Sequence, residues 1–502
     1  MTRFRSIVFS FILISLLLAG LLQTTGPAQA QTFQVNPAWT YPETIPGMQD
    51  SGLSPVIITD SEGTIHAFNS QPVEGNVSIV YTHWSPQGGW SHLVDILDFP
   101  RGSARVYSGV LDQRGWLHLL FWGGNEIDAN IYYIKAPAIH ADKSTAWSEP
   151  VLIGPFAMDP PEVQLALDGS DTLIAIYSSN FRGNGLYTIQ SDDFGETWTS
   201  PEPLFLTYKN FWWPTALYLY TAPQGQIFAT WAVADERGNG KAIYFSRQDP
   251  TSHQWPQATL VAKAIEFEAD TPSIIKHNGN LILIYHNEYP STRWMRVSND
   301  DGDTWSQPVR LFEQVGSNGA ASLVIDSNNT LHMFFGNRIG DPAIHGAWHS
   351  KWLENQWSNP ESLVEGQQIP IGEHGEEGFD PSFLQATVVR GNLLFVLWRH
   401  DPQAGPTNIW YAHTTVNAPE QLVVPLPTVK IVKPTTTPQP TANSSLSPTP
   451  LVSPAENGNT FQLQQASPSR TGAINPSATI LIGIAPIALL IFAVAYWKLH
   501  SR

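Results

Sequence analysis

The segments EGTIHAF (62–68), RGWLHLLF (114–121), SDTLIAIY (170–177), QGQIFATW (224–231), NGNLILIY (278–285), NNTLHMFF (328–335) and RGNLLFVLW (390–398) each place a tight turn before an apolar strand. A unit repeated in this way cannot bury its apolar strand alone and must stack on its neighbours. The aligned apolar positions are 65, 117, 173, 227, 281, 331 and 393, a period of 50–62 residues. A short apolar run precedes each turn, as in SPVIITD and ASLVIDS. A third strand follows: IYYIKA, LYTIQS, AIYFSR, NIWYAHT. A tryptophan then opens a fourth: WSEPVLI (147–153), WTSPEPLF (198–205), WSQPVRLF (305–312) and WSNPESLV (357–364), with GGWSHLVDI and QWPQATLV as weaker versions. Four strands per repeat at this spacing predict an all-β propeller of four-stranded blades. Seven blades are expected, or six if one weak repeat is an insertion. The seventh repeat ends at NIWYAHT without a Trp strand, whereas AWTYPETI (38–45) matches AWSEPVLI (146–153). The start of the chain therefore supplies the last blade's fourth strand and closes the ring, leaving no open edge.

The ends of the chain read differently from its body. MTRFR is basic, SIVFSFILISLLLAGLL is apolar and AQA (28–30) is small, which predicts a signal peptide over 1–30. ATILIGIAPIALLIFAVAYW (478–497) is uncharged and long enough to span a bilayer, with Lys498 and Arg502 beyond it in a short cytoplasmic tail, 498–502. Residues 418–477 are rich in Pro, Ser and Thr and read as a disordered stalk. The expectation is an exported protein with an extracellular body at 31–417, held at the cell membrane by a single C-terminal helix. The 502 residues carry 26 Lys+Arg against 43 Asp+Glu, a formal charge of −17 that argues against a nucleic-acid partner. There is no cysteine, so disulfides, thiolate nucleophiles and Cys-metal sites are excluded. Nothing in the repeats calls for oligomerisation, and a monomeric propeller is expected.

Two stretches, SDDFGETW (191–198) and SNDDGDTW (298–305), share the pattern S-x-D-x-G-x-T-W. Asp193 and Asp300 are suited to accept backbone N–H bonds within a tight turn, and Gly195 and Gly302 permit positive φ. Ser191 and Ser298 open the motifs, and Trp198 and Trp305 are placed to pack between blades. The pattern resembles the Asp box, or bacterial neuraminidase repeat, of sialidases and related propellers. Both copies fall between third and fourth strands. They sit opposite any site built from the loops that enter first strands and leave second strands, so their expected role is structural.

Those other loops carry the chemistry. Entering first strands are Asp50, Arg105, Asp159, Trp212, Trp213, Asp270, Asn318 and Asp380; leaving second strands are Arg182, Arg237, His286 with Glu288 and Tyr289, Arg338, and Arg399 with His400. Exposed loops are commonly charged, but acids, arginines and aromatics ringed around one concave face suit a ligand. Arginine forks bind carboxylates, Trp212 or Trp213 would stack on a sugar, and a carboxylate pair would supply acid–base chemistry. The resemblance implies sialidase chemistry: three arginines on the substrate carboxylate, a Tyr nucleophile activated by Glu, and an Asp acid/base. The catalytic candidates are then Asp270, Asp380, Glu288 and Tyr289. The first family arginine belongs on the first blade's inner strand, which here reads SGLSPVIITD with none; Arg105 lies one blade later. Three functions stay open: a surface-anchored propeller that binds extracellular glycans, an exo-glycosidase of sialidase type, and a protein-interaction platform. The acids at 50, 159, 270 and 380 are oxygen ligands of the kind Ca²⁺ takes, but no loop has D-x-D-x-D spacing, so no metal or other cofactor is assigned. His66, His118 and His332 recur at one position of the repeat, which fits core lining rather than metal binding.

Overall fold

A computed structural model describes residues 33–428, apart from 50–54, 74, 98, 101, 126–128, 208–211, 266–267, 288–291, 313–317, 341–342, 372–374, 379–380 and 401–407. The segments read as signal peptide, membrane helix, cytoplasmic tail and most of the stalk lie outside the described residues. Among the described residues no helix is long and apolar enough to cross a membrane.

The repeats form seven antiparallel sheets arranged as blades. Blade 1 uses Val56–Thr59, Ile65–Val73, Asn76–Ser85 and Val94–Leu97. Blade 2 uses Ser103–Leu111, Trp116–Gly124, Ala129–Pro137 and Val151–Gly154, and blade 3 Val163–Leu167, Leu173–Ser179, Gly185–Ser191 and Glu202–Leu206. Blade 4 uses Trp213–Thr221, Ile227–Ala234, Gly240–Arg247 and Thr259–Lys263, and blade 5 Ala269–His277, Asn280–Asn287, Thr292–Ser298 and Val309–Leu311. Blade 6 uses Asn318–Ile325, Leu331–Gly340, Ala343–Leu353 and Glu361–Ile371, with Phe33–Val35 added outside the last. Blade 7 takes Pro381–Val389, Leu393–His400 and Asn408–Thr415 from the end of the body and Glu43–Gln49 from its start.

Burial explains the pattern. The second strands lie between two neighbouring blades and lose the usual alternation: every residue of Leu173–Ser179 and Ile227–Ala234 is buried. The fourth strands form the outer rim, and Val151–Gly154 buries only its last two residues. Each opening Trp packs on the preceding blade. Trp147 meets Phe68 edge-on at 5.7 Å, Trp198 meets Tyr133 at 5.1 Å and Trp305 meets Phe245 at 5.3 Å. Trp39, in the N-terminal copy, meets Phe334 of blade 6 at 5.8 Å.

The two S-x-D-x-G-x-T-W turns are built alike. Asp193 Oδ1 accepts from the Thr197 N–H (2.8 Å) and the Ser191 hydroxyl (2.8 Å), and the Gly195 N–H donates back to Ser191 Oγ (2.8 Å). Asp300, Thr304, Ser298 and Gly302 repeat this set. The Thr197 hydroxyl, followed by the other donors, holds the Asp193 carboxyl down at about 2. Gly195 and Gly302 have φ of +83° and +96°, and a Cβ on either would collide with the Tyr133 or Phe245 ring of the blade before. These turns are fastened to their neighbours.

A second structural motif recurs at the foot of blades 1, 2 and 6. Asp60, Asp112 and Asp326 each cap the turn between first and second strands through two backbone N–H bonds. Their second oxygens lie 3.2–3.3 Å from His66, His118 and His332. The far nitrogen of each ring reaches Tyr81 (2.8 Å), Tyr133 (2.6 Å) or His349 (2.9 Å). The matched histidines are thus buried core residues, each beside the aspartate of its own turn.

The segment read as the start of the stalk, 418–428, is bonded to the propeller. The Ser327 hydroxyl of blade 6 donates to the Pro419 carbonyl, and the Gln421 N–H donates to the Arg390 carbonyl of blade 7 (2.8 Å). Ser61 of blade 1 exchanges two bonds with Val424 (2.7 and 3.1 Å), and the Leu426 N–H reaches Glu62 (2.9 Å). Leu426 then packs on the core shared by blades 1 and 2. This strap crosses the turns of blades 6, 7 and 1, on the face that carries the two acidic turns.

Two outcomes are expected. Deleting residues 31–45 removes the buried Trp39 and Ile45 along with the first three residues of the closing strand. It should cost more than about 4 kcal/mol, read as a lower guanidinium midpoint; an unchanged midpoint would exclude ring closure as a source of stability. Burial also holds the His118, His332 and His349 imidazoles below the ordinary 6.5, His349 at about 2 with His332 beside it. The unfolded chain takes up these protons near pH 6.5 and the folded chain does not. The contribution of these three histidines is therefore full above pH 6.5 and falls as pH drops below it. Burial opposes ionisation of Asp112, but bonds from His118, the Trp116 N–H and Arg114 outweigh it and bring its carboxyl to about 2, adding a second loss below pH 3.8. Melting at pH 7.5, 6.0 and 5.0 should show the first loss.

Candidate functional site

Each first strand enters from the face opposite the strap, and five of them bulge within a few residues of that entry. The irregularities fall between Val106 and Ser108, Thr215 and Tyr218, Asp270 and Ser273, Asn318 and Ser322, and Ser382 and Gln385. Ala216, Thr271, Gly319 and Phe383 hold positive φ there, from +47° to +81°. Bulges re-aim side chains and free backbone N–H groups from the ladder. At several junctions the neighbouring blade takes up first-strand N–H groups. The Val106 N–H donates to Ser70 Oγ (2.8 Å), Leu165 to Ser108 Oγ (2.9 Å) and Ala386 to Ser322 Oγ (2.9 Å). The Ser273 hydroxyl donates to the Ala321 carbonyl (2.7 Å). Thr59 and Thr387 join blades 1 and 7 at 2.6 Å.

Between blades 3 and 4 the acceptor is a carboxylate. Glu162 Oε2 takes the Leu217 N–H at 2.9 Å, and Oε1 lies 3.4 Å from the Thr215 hydroxyl. Burial pushes the Glu162 carboxyl up to about 7. The N–H groups of Leu217 and Ala216 oppose the rise, and the charge of Asp270 adds to it. Asp270 itself is raised to about 6, mainly by burial. On its paired strand His286 is buried and kept neutral, its Nδ1 2.8 Å from the Thr271 hydroxyl.

Glu162 belongs to the loop PFAMDPPEV (155–163), which supplies two more groups to this mouth. Asp159 lies 3.8 Å from Arg105, both about two-fifths exposed, and the Arg105 guanidinium sits 5.0 Å from the Trp122 ring centre. Tyr107 stands nearby, its hydroxyl raised by burial and by the charges of Glu162 and Asp159. Phe156 is 60 % exposed and stacks on Phe181, 37 % exposed, at 5.9 Å and 15°. Arg182 lies 5.1 Å from the Phe181 ring and 4.0 Å from Glu202. Glu162, Tyr107, Phe156 and Phe181 were not singled out from the sequence.

The structure distributes the expected residues unevenly. Arg105 and Asp159 come together, and Asp270 is close enough to act on Glu162. Trp212 packs against the core between blades 3 and 4 rather than standing as an open platform, and Trp213 is half-buried at the start of its strand. Arg237 is exposed in the turn capped by Asp235, and Arg399 is half-buried opposite Ser382. Asp50, Glu288, Tyr289 and Asp380, and the side chains of Arg338 and His400, lie outside the described residues. Arg293, also unnoticed in the sequence, is fully buried between blades 5 and 6, 4.5 Å from the Phe335 ring, and burial lowers it to about 9. Among the described residues no three His, Asp or Glu side chains are placed to hold a metal ion.

No protein-family profile matches the chain, and no curated protein is similar to it in sequence. Solved structures are similar in fold. A polysaccharide lyase, an ulvan lyase of family PL25, aligns at TM-score 0.52 and 10 % identity, covering 74 % of this chain and 94 % of its own. A Dyadobacter fermentans protein of unknown function aligns at 0.46 and 13 %, over 77 % and 98 %. The NanB sialidase of Streptococcus pneumoniae aligns at 0.40 and 12 %, over 78 % and 70 %. Structural neighbours thus include polysaccharide lyases and sialidases with a propeller fold.

The Arg105–Asp159 pair is solvent-exposed and contributes at most about 1 kcal/mol. Arg105→Ala and Asp159→Ala should each leave the guanidinium midpoint within that range, which makes them clean probes of ligand binding. A larger loss would show that the pair holds the mouth together.

Proposed function

We propose that the protein binds carbohydrate at the mouth formed by blades 2 to 4, displaying the propeller outside the cell on its C-terminal tether. The observation that carries this reading is the exposed Phe156–Phe181 stack beside the Arg105–Asp159 pair. Flat apolar faces next to convergent hydrogen-bonding groups are what a sugar ring offers partners to: C–H faces for the aromatics and hydroxyls for the charged pair. A stacked, exposed aromatic pair is a surface on which the C–H face of a sugar can pack. An ulvan lyase of the same fold is described bound to a uronic acid–rhamnose sulfate repeat, so the architecture accommodates a glycan elsewhere.

The sialidase reading draws less support. A substrate carboxylate needs open guanidinium forks, yet Arg105 faces Asp159 and Arg182 faces Glu202. The net charge of −17 also opposes the approach of polyanions. Neutral glycans are the expected ligands.

The test is a glycan array probed with the full-length protein. Binding to neutral oligosaccharides is expected, and Phe156→Ala combined with Phe181→Ala should weaken it at least about tenfold with little change in stability. Wild-type protein that retains no glycan, or a double variant that binds undiminished, would exclude this site.

A further inference from the structure

We propose that Glu162 is a proton-transfer residue and that the mouth cleaves the glycan it binds; this rests on the carbohydrate-binding reading above. At three junctions a serine hydroxyl accepts a first-strand N–H of the next blade: Ser70 between blades 1 and 2, Ser108 between 2 and 3, and Ser322 between 6 and 7. A hydroxyl is sufficient for that task. Burying a carboxylate costs far more than burying a hydroxyl, so ring closure alone does not call for Glu162 at the junction of blades 3 and 4.

What the carboxylate adds is a second oxygen and a titratable proton at the channel mouth. Its Oε2 is pinned by Leu217 at 2.9 Å and its Oε1 lies near the Thr215 hydroxyl, so the group is held in one orientation. Ala216 keeps φ at +52° in the bulge beside it. Arg105 and Tyr107 face this region from blade 2, Asp159 from the same loop, Thr215 from blade 4 and Asp270 from blade 5. The shift to about 7 brings Glu162 into the range where a general acid works near neutral pH, and Asp270, at about 6, is mostly ionised there.

The step balances with water as the only co-reactant. Glu162 in its acid form gives its proton to the glycosidic oxygen as the bond from C1 to that oxygen breaks. The oxygen of a water molecule bonds to C1, and that water's proton passes to the Asp270 carboxylate. Proton exchange with solvent restores both groups. Neither a tyrosine nucleophile nor an arginine clamp takes part.

The experiment uses full-length protein, the oligosaccharides it retains on the array, and a panel of 4-nitrophenyl glycosides of neutral sugars. Cleavage is followed by mass spectrometry and nitrophenolate release from pH 5 to 9. Turnover is expected with a bell-shaped profile whose limbs lie near 6 and 7. Glu162→Gln keeps an oxygen for the Leu217 N–H; it should lower kcat by about 10²–10⁴-fold while array binding stays within about threefold. Glu162→Ser, which restores the hydroxyl used at other junctions, should fold with an unchanged midpoint and be equally inactive. A glycan that wild-type protein binds but leaves intact would overturn the proposal and leave the binding reading standing, as would cleavage undiminished in Glu162→Gln. A wild-type protein that binds no glycan would remove both readings.

Discussion

The pairing of Glu43–Gln49 with Asn408–Thr415 is the constraint on which the rest of the architecture depends. A seven-bladed ring has one seam, and here it lies inside blade 7. Thr44 pairs with Trp410 and Glu43 with Tyr411, whose hydroxyl also donates to the Glu43 carboxylate at 2.8 Å. Thr40 and His413 exchange two further bonds. Without cysteines, no covalent bond shares this load. The strap at 418–428, which follows the last strand of blade 7, ties that blade to its neighbours, blades 6 and 1. Both chain ends are thus used to hold the ring shut. Phe33–Val35 adds a further fastening, because it pairs with blade 6 before the chain crosses to blade 7.

Ring closure in turn fixes the mouth. The first strands meet around the channel only if every blade keeps its angle to the next, and the bonds from Ser70, Ser108, Glu162, Ser273, Ser322 and Thr59 are the local expression of that angle. Tyr107 and Asp270 both lie at bulges of these first strands. Scaffold and site therefore share atoms: the Leu217 N–H that ties blade 4 to blade 3 also orients the Glu162 carboxylate.

This sharing explains what could be read from the sequence. The blades were legible because their signal is periodic: a turn, an apolar strand and a Trp recur at a spacing that only stacked sheets satisfy. The closure was legible because AWTYPETI is a fourth strand out of place. Asp193 and Asp300 were legible as turn residues because their partners lie within four positions. Glu162 was not, because its partners Leu217 and Thr215 are more than 50 residues away and the sequence gives no sign that it stands where other junctions use serine. Its signal was the loop PFAMDPPEV, where Phe156, Asp159 and Glu162 occur at three-residue intervals, but only Asp159 lay at the position compared across blades. Trp212 looked like an open platform because its loop is at the mouth; packing against the core of blades 3 and 4 was the stronger claim on an indole. The proline-rich start of the tail suited a free stalk by composition, yet its carbonyls and N–H groups found partners on exposed turns, which composition cannot reveal.

The electrostatics of the mouth argue against a purely structural account of its acids. Asp193 and Asp300, which are structural, are held near 2 by the donors around them and stay ionised at any physiological pH. Asp60 and Asp112 are likewise lowered by the turns they cap. A carboxylate used as a fastener is stabilised in its charged form, because that form accepts the bonds it makes. Glu162 and Asp270 depart from this rule in the same direction: each accepts a backbone N–H bond, and each is nevertheless raised. Asp193, Asp300, Asp60 and Asp112 are thus lowered, whereas Glu162 and Asp270 are raised. Carboxyls driven apart in this way are the kind of pair that acid–base chemistry uses, and here the shift accompanies a carboxylate fixed by Leu217 and Thr215.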